Sequence, residues 1–205
     1  MAATKLTLYN GALLILGERG LTSLTEAREP RRVLDRVWSR DPIKYCLERG
    51  QWKFAMNKGR LTYNPSFTPP SGFRYQFTKP DDFVRICAIS SEEYFHEPLT
   101  QYEDLGHYWF ADYTEIFIKY VSDHETFGRD YSLWPKNFEK YVEAFMAFEA
   151  SDKLTSDKGK LAKARGTMDA ALTEALSTDA MAGPAKKLPT GSWVGSRTGS
   201  SSRER

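Results

Sequence analysis

Hydrophobic positions in this chain switch between two periodicities, and the switches mark its organisation. From Arg31 to Ala55 the apolar residues Val33, Leu34, Val37, Trp38, Tyr45 and Cys46 recur at three- and four-residue spacing. They share one face of a helix, while Arg32, Asp35, Arg36, Lys44 and Glu48 fall mostly on the other side. The pattern stops at Gly50 and delivers an aromatic pair, Trp52 and Phe54, to the folded body. Pro42 interrupts it, because a proline inside a regular helix costs about 3 kcal/mol. Two readings fit: a kink at Trp38–Pro42, or a new helix with Asp41 as N-cap. The stripe carries across the proline, which favours one long kinked helix. Upstream, Thr7 to Leu16 predicts a short helix closed by Gly17. Leu8, Ala12 and Ile15 line one face, and Leu13, Leu14 and Leu16 widen it, so burial on more than one side is expected. Leu21 to Leu24 reads as an extended connector, and Pro30 suits a first helical turn.

From Trp52 to Val121 the period changes to two, punctuated by Pro65, Pro69, Pro70, Gly72, Pro80, Pro98 and Gly106. Phe73, Tyr75 and Phe77 alternate with polar residues. Val84–Ser90 is a β-branched run, and Thr114–Val121 puts Ile116, Ile118 and Tyr120 on one face. Tyr108–Phe110 precedes the last run across Ala111-Asp112-Tyr113, which predicts a hairpin between them. Four to six strands are expected. Helical spacing returns at Pro135 with Phe138, Tyr141, Val142, Phe145, Met146 and Glu149. Ala144, Ala147 and Ala150 add a small-residue face. A last helix runs to about Met181, with Ser156 as N-cap and Leu161, Ala164, Met168, Leu172, Ala175 and Leu176 as its stripe. Gly166 within it costs about 1 kcal/mol relative to alanine, so it either permits close packing or marks a marginal helix. No solenoid repeat is visible.

The predicted class is therefore α+β. A helical body of about four helices, residues 1–55 and 133–182, carries an antiparallel β-rich insertion, residues 56–132, between the second and third helices. Residues 183–205 form a flexible basic C-terminal tail rich in Gly, Ser and Pro.

Composition changes this picture little. Of 205 residues, 40% are hydrophobic and 14% aromatic, enough for a packed core. The formal charge of +2 is unevenly placed: the tail carries Lys186, Lys187, Arg197, Arg203 and Arg205 against Glu204, a net of +4, which leaves −2 for the rest. Cys46 and Cys87 belong to no C-x-x-C pair, and two lone thiols fit a reducing cytoplasm. The apolar run Ala12–Leu16 is too short for a membrane span and lacks the flanks of a signal peptide.

Candidate chemistry is sparse. His96, His107 and His124 show no metal-ligand spacing. A Cys46–His107 pair would have to be assembled by the fold, and Cys46 reads better as core. Asp81-Asp82 and Glu92-Glu93 read as solvated turn residues. No phosphate-binding loop, dinucleotide fingerprint or nucleophile elbow occurs. The expectation is no enzyme, with no catalytic residue, cofactor or metal. The tail suggests two kinds of partner. Its five cations could give weak, salt-sensitive nucleic-acid binding, or Trp193-Val194 could anchor it in a protein groove.

Four segments in this order resemble the tail tubular protein A family, the head-to-tail adaptors of short-tailed bacteriophages. They are Asn10–Glu18 followed by Leu21–Glu26; Leu47-Glu48-Arg49-Gly50-Gln51-Trp52-Lys53-Phe54-Ala55; Tyr75-x-Phe77-x-x-Pro80-x-Asp82; and Ile118-x-Tyr120-Val121 with Trp134-Pro135 and the helix Phe138–Ala150. The resemblance covers roughly residues 6–155 and departs from the family at Lys79, where an apolar residue is usual. It implies a homo-oligomeric ring of about twelve copies between the portal protein and the tail nozzle (tubular protein B). DNA would pass through its lumen without sequence readout. Such a protein would be a virion component assembled in the host cytoplasm, with no membrane partner. Portal-binding residues are expected in the tail: Lys186, Lys187, Trp193, Val194 and Arg197. The alternative is a nucleic-acid-binding module acting through that same tail.

Overall fold

A computed structural model describes residues 3–67, 69, 72–96, 98–155 and 157–183. The fold is α+β, and the described residues form five helices and two small antiparallel sheets. Helix α1 spans Lys5–Leu16. Thr4 caps it by accepting from the Thr7 amide at 3.2 Å, and the Thr7 hydroxyl reciprocates. Gly17 closes it at φ 72°, a left-handed conformation that costs glycine least. The Asn10 side chain then clamps the returning connector through both the amide and the carbonyl of Leu21, at 2.7 and 3.1 Å. Leu14, expected in the core, is 79% exposed. The Leu8/Ala12 side is buried with its flanks, Tyr9, Leu13 and Leu16, and Leu6 and Ile15 pack partly buried against the same cluster.

The long helix is two helices, α2 (Glu29–Trp38) and α3 (Pro42–Glu48). The kinked reading gives way to the alternative, and the reason is local. Asp41 turns left-handed at φ 55°, its carboxylate accepts from the Lys44 amide at 3.2 Å, and Pro42 sits in the first turn, where no amide donor is needed. Arg129 holds the same carboxylate and lies 3.5 Å from Asp123. The apolar stripe survives the break. Val33, Leu34 and Val37 before it, and Ile43, Cys46 and Leu47 after it, are buried in one cluster.

A single 3-10 turn, Lys53–Ala55, leads into the strands: β1 (Met56–Thr62), β2 (Tyr75–Thr78), β3 (Phe83–Ser90), β4 (Glu103–Leu105), β5 (Tyr108–Ala111) and β6 (Glu115–Ser122). They lie between α3 and α4 and form two sheets, ordered β1-β6-β3 and β2-β5-β4. The expected hairpin between Tyr108–Phe110 and Thr114–Val121 does not form. β5 pairs with β2 and β4, while β6 pairs with β1 and β3. Crossing between sheets lets Phe77, Trp109 and Ala111 meet Ile89, Ile116, Ile118 and Tyr120 in one buried cluster. A hairpin would have put both runs in one sheet and left that face without a cover. The tight turn is instead the one at Gly106, φ 57°, between β4 and β5.

Lys79 fills its apolar place by lying along the second sheet. Its side chain is 12% exposed, its ammonium sits 5.2 Å from the Phe83 and Trp109 rings, and Asp104 neutralises it at 2.5 Å. Asp82 is no solvated turn residue. Its carboxylate accepts from the Tyr120 hydroxyl at 3.0 Å and from Ser122 Oγ, fixing the Pro80 turn to β6.

Helices α4 (Lys136–Leu154) and α5 (Lys158–Met181) follow the sheets. α4 touches all four other helices, and its Ala144, Ala147 and Ala150 are fully buried. Trp52 and Phe54 pack on Phe138 at ring distances of 4.8 Å, and Trp134 lies 4.9 Å from the same ring. Asp157 caps α5 by accepting from the Gly159 amide at 2.7 Å; Ser156 lies outside the described residues. Of the expected α5 stripe only Ala164 and Ala175 are buried. A Cβ on Gly166 would meet nothing, so close packing is not the reason for that glycine. Gly50 is different, because a Cβ there would lie 2.8 Å from both Leu176 and Trp52. The two core clusters join at β6. Tyr120 faces the sheet cluster, and the adjacent Val121 faces the helices together with Val84 and Cys87.

Candidate interaction surfaces

The titratable groups that meet among the described residues form ion pairs and hydrogen-bonded sets, such as Arg129 with Asp41 and Asp123, and Tyr120 with Asp82. His96, His107 and His124 are exposed. Cys46 is fully buried among the helices, so it does not meet His107 on the β4–β5 turn. Burial pushes its thiol up. Among the described residues no three His, Cys, Asp or Glu side chains cluster as metal ligands, and no helix is long and apolar enough to cross a membrane. The expected portal-binding residues Lys186, Lys187, Trp193, Val194 and Arg197 lie outside the described residues.

Several surface grooves remain among the described residues. The first is a groove of about 1010 Å³ at the end of α5, where the described chain stops. Lys53 builds it. Its amide donates to Asp179 Oδ1 at 2.9 Å, and its ammonium donates to the backbone carbonyls of Asp179 and Ala180. The last turn of α5 has no basic residue of its own, so Lys53 supplies the positive charge that a helix C-terminus favours. Leu176 and Met181 line the groove and are 38% and 74% exposed.

The second is a groove of about 680 Å³ between α1, α4 and α5, bordered by Leu14, Ile15, Lys163 and Ala170. Glu143 lies in its wall, against Gly11. A Cβ on Gly11 would fall 2.1–2.4 Å from that carboxyl group. Burial pushes the Glu143 carboxyl up to about 7, Glu139 adds to the rise, and Lys136 and Lys140 oppose it. A raised acid means that the folded chain holds a proton which the unfolded chain has released. Stability is therefore fully present below the ordinary value of 4.5 and is lost as pH rises toward 7. Glu143→Gln is expected to match the wild type in urea unfolding at pH 4.5 and to exceed it at pH 8. A stability difference independent of pH would rule this account out.

The third is a cleft of about 460 Å³ on the first sheet, lined by Lys58, Arg60, Glu93, Tyr94, Phe95 and Phe117. Phe95 takes a left-handed φ of 58°, and Tyr94 is 77% exposed.

Lys53, Glu143 and the pairing of Lys58 with Lys119 escaped sequence reasoning. Each matters through a residue far away in the chain, and no local pattern signals it. The Asp82 carboxylate had a local cue in the Pro80-x-Asp82 turn. No family model matches the chain, and no curated protein matches it.

Proposed function

We propose that this chain is a head-to-tail adaptor of a short-tailed bacteriophage, a structural virion protein that forms a ring joining the portal to the tail nozzle. The observation that supports this best is where the four family-like segments fall. Gly17 ends α1, and Trp52 and Phe54 seat the exit from α3 on α4. Asp82 fixes the Pro80 turn to β6, and Trp134 bonds the Gly128 carbonyl at 2.9 Å just before α4. All four are junctions that set how helices and strands join, so their order describes one architecture rather than scattered likeness. In this reading the five helices act as a bundle that forms the ring wall, and the strands project toward the nozzle.

A ring needs two unlike patches on each subunit, one meeting the other on the next copy. The exposed Leu14 side of the helices and the strand region are chemically distinct enough to serve. The job is adhesive and mechanical, and it calls for no catalytic group. The tail, through Trp193 with Lys186, Lys187 and Arg197, would meet acidic portal surface. Ring number, expected at twelve, is part of the proposal.

Electron microscopy of the purified protein with portal particles tests the assignment. Rings seated on portals are expected; portals that stay bare at saturating protein would defeat it. In the same assay a chain lacking residues 183–205 should lose portal pull-down, and undiminished capture would remove the tail from the interface.

A further inference from the structure

We propose that the open face of the β1-β6-β3 sheet binds the phosphate backbone of a nucleic acid. Residues directly opposite in an antiparallel pair share a face. One face carries Ile116, Ile118, Tyr120 and Ile89 into the sheet core. The other carries three cross-strand rows: Met56, Val121 and Arg85; Lys58, Lys119 and Ala88; Arg60, Phe117 and Ser90. The helices cover Val121 at one end. Arg85 stands in that row, and beyond it Lys119, Lys58 and Arg60 continue a diagonal across the other two strands, Lys119 beside the groove at the end of α5.

The central pair is the anomaly. Lys58 and Lys119 stand directly opposite each other, and like charges so placed are destabilising. Among the described residues neither ammonium makes an ion pair. Glu115, the acid on this face, is engaged by Arg60, and Glu93 lies on the cleft rim. Arg85 donates to the Glu48 carbonyl at the end of α3 and, among the described residues, makes no ion pair. Protection of a sheet edge accounts for a lysine on β1, but Lys119 lies on the central strand, where there is no edge to protect.

The layout favours a chain of repeated charges over a single carboxylate. Strands lie about 4.8 Å apart and alternate residues about 6.7 Å, so the cations form a track and not a point. Beside it, the Lys58 ammonium lies 5.7 Å from the Phe95 ring, and the neighbouring Tyr94 is exposed for stacking. The inference does not rest on the adaptor reading, and it uses no residue of the basic tail.

Filter binding of a generic duplex and of a single strand by the full chain, across a salt series, provides the test. Three comparisons matter: Lys58→Glu with Lys119→Glu, the milder Lys58→Gln with Lys119→Gln, and the chain lacking residues 183–205. Circular dichroism melting checks that each remains folded. The glutamate pair should weaken binding at least tenfold, and the glutamine pair should lower the salt slope by about 1.8, two phosphate contacts' worth. The tailless chain should retain the sheet-dependent binding. Binding that vanishes with the tail and ignores the lysines overturns the proposal. So does a face that takes poly-glutamate but neither nucleic acid, which would assign it to an acidic protein.

Discussion

Trp52→Ala is expected to lower stability by about 3–5 kcal/mol, enough to unfold much of a marginal domain. The side chain is 1% exposed at the meeting point of three elements. Its ring lies 4.8 Å from Phe138 and 6.3 Å from both Phe54 and Tyr141. Gly50 provides the room beside it. The indole also donates to the Cys46 carbonyl at 3.0 Å, tying the last turn of α3 to the chain that leaves it. Truncation would open a cavity and remove that bond, leaving the Cys46 carbonyl with the Arg49 amide alone. Trp52→Phe separates the two effects: it keeps most of the packing and loses the donor, which should cost about 0.5–1.5 kcal/mol. Urea unfolding followed by circular dichroism reads both. A loss below 1 kcal/mol for the alanine variant would mean that the aromatic cluster does not hold the helices together.

Gly128→Ala is the second large effect, and it acts through backbone. A Cβ at this position would lie 2.2 Å from the Ser122 carbonyl oxygen and 2.8 Å from Leu47. The first neighbour cannot swing aside, because the Gly128 amide donates to that same oxygen at 3.2 Å. The Gly128 carbonyl in turn accepts from the Trp134 indole. Forcing the loop outward therefore disturbs the end of β6, the tip of α3 and the start of α4 together. Overpacking of this kind costs about 1–3 kcal/mol, and loss of the indole bond adds to it. The thermal midpoint and hydrogen exchange at the Trp134 indole are the measurements. An unchanged midpoint with full indole protection would show that the loop has slack.

How much of this was legible beforehand depends on the range of each interaction. The α+β class follows from where period 3.6 gives way to period 2, and Ile116, Ile118 and Tyr120 are buried on one face as their alternation implies. Gly17 as a helix stop is likewise local. The break at Asp41 was visible as an option. The continuous stripe argued against it, because a three-residue turn, Ser39 to Asp41, can preserve a face without preserving a helix. Sheet membership was not legible. Tyr108–Ala111 and Glu115–Ser122 are neighbours with a turn between them, and only the need to cover Trp109 from the opposite side separates them. The surfaces were harder still. Lys53 caps a helix more than 120 positions away, and Lys58 meets Lys119 only once the register exists.

Helix α4 contacts α1, α2 and α3 as well as α5. During synthesis the first three helices leave the ribosome with apolar faces whose cover, α4, has yet to be made. Residues 56–135 must follow before the covering helix even begins to appear. At about 5–20 residues per second this is an interval of several seconds or more. The nascent amino-terminal segment is thus a natural client for chaperones, and a pause in translation within the strand region would prolong its exposure.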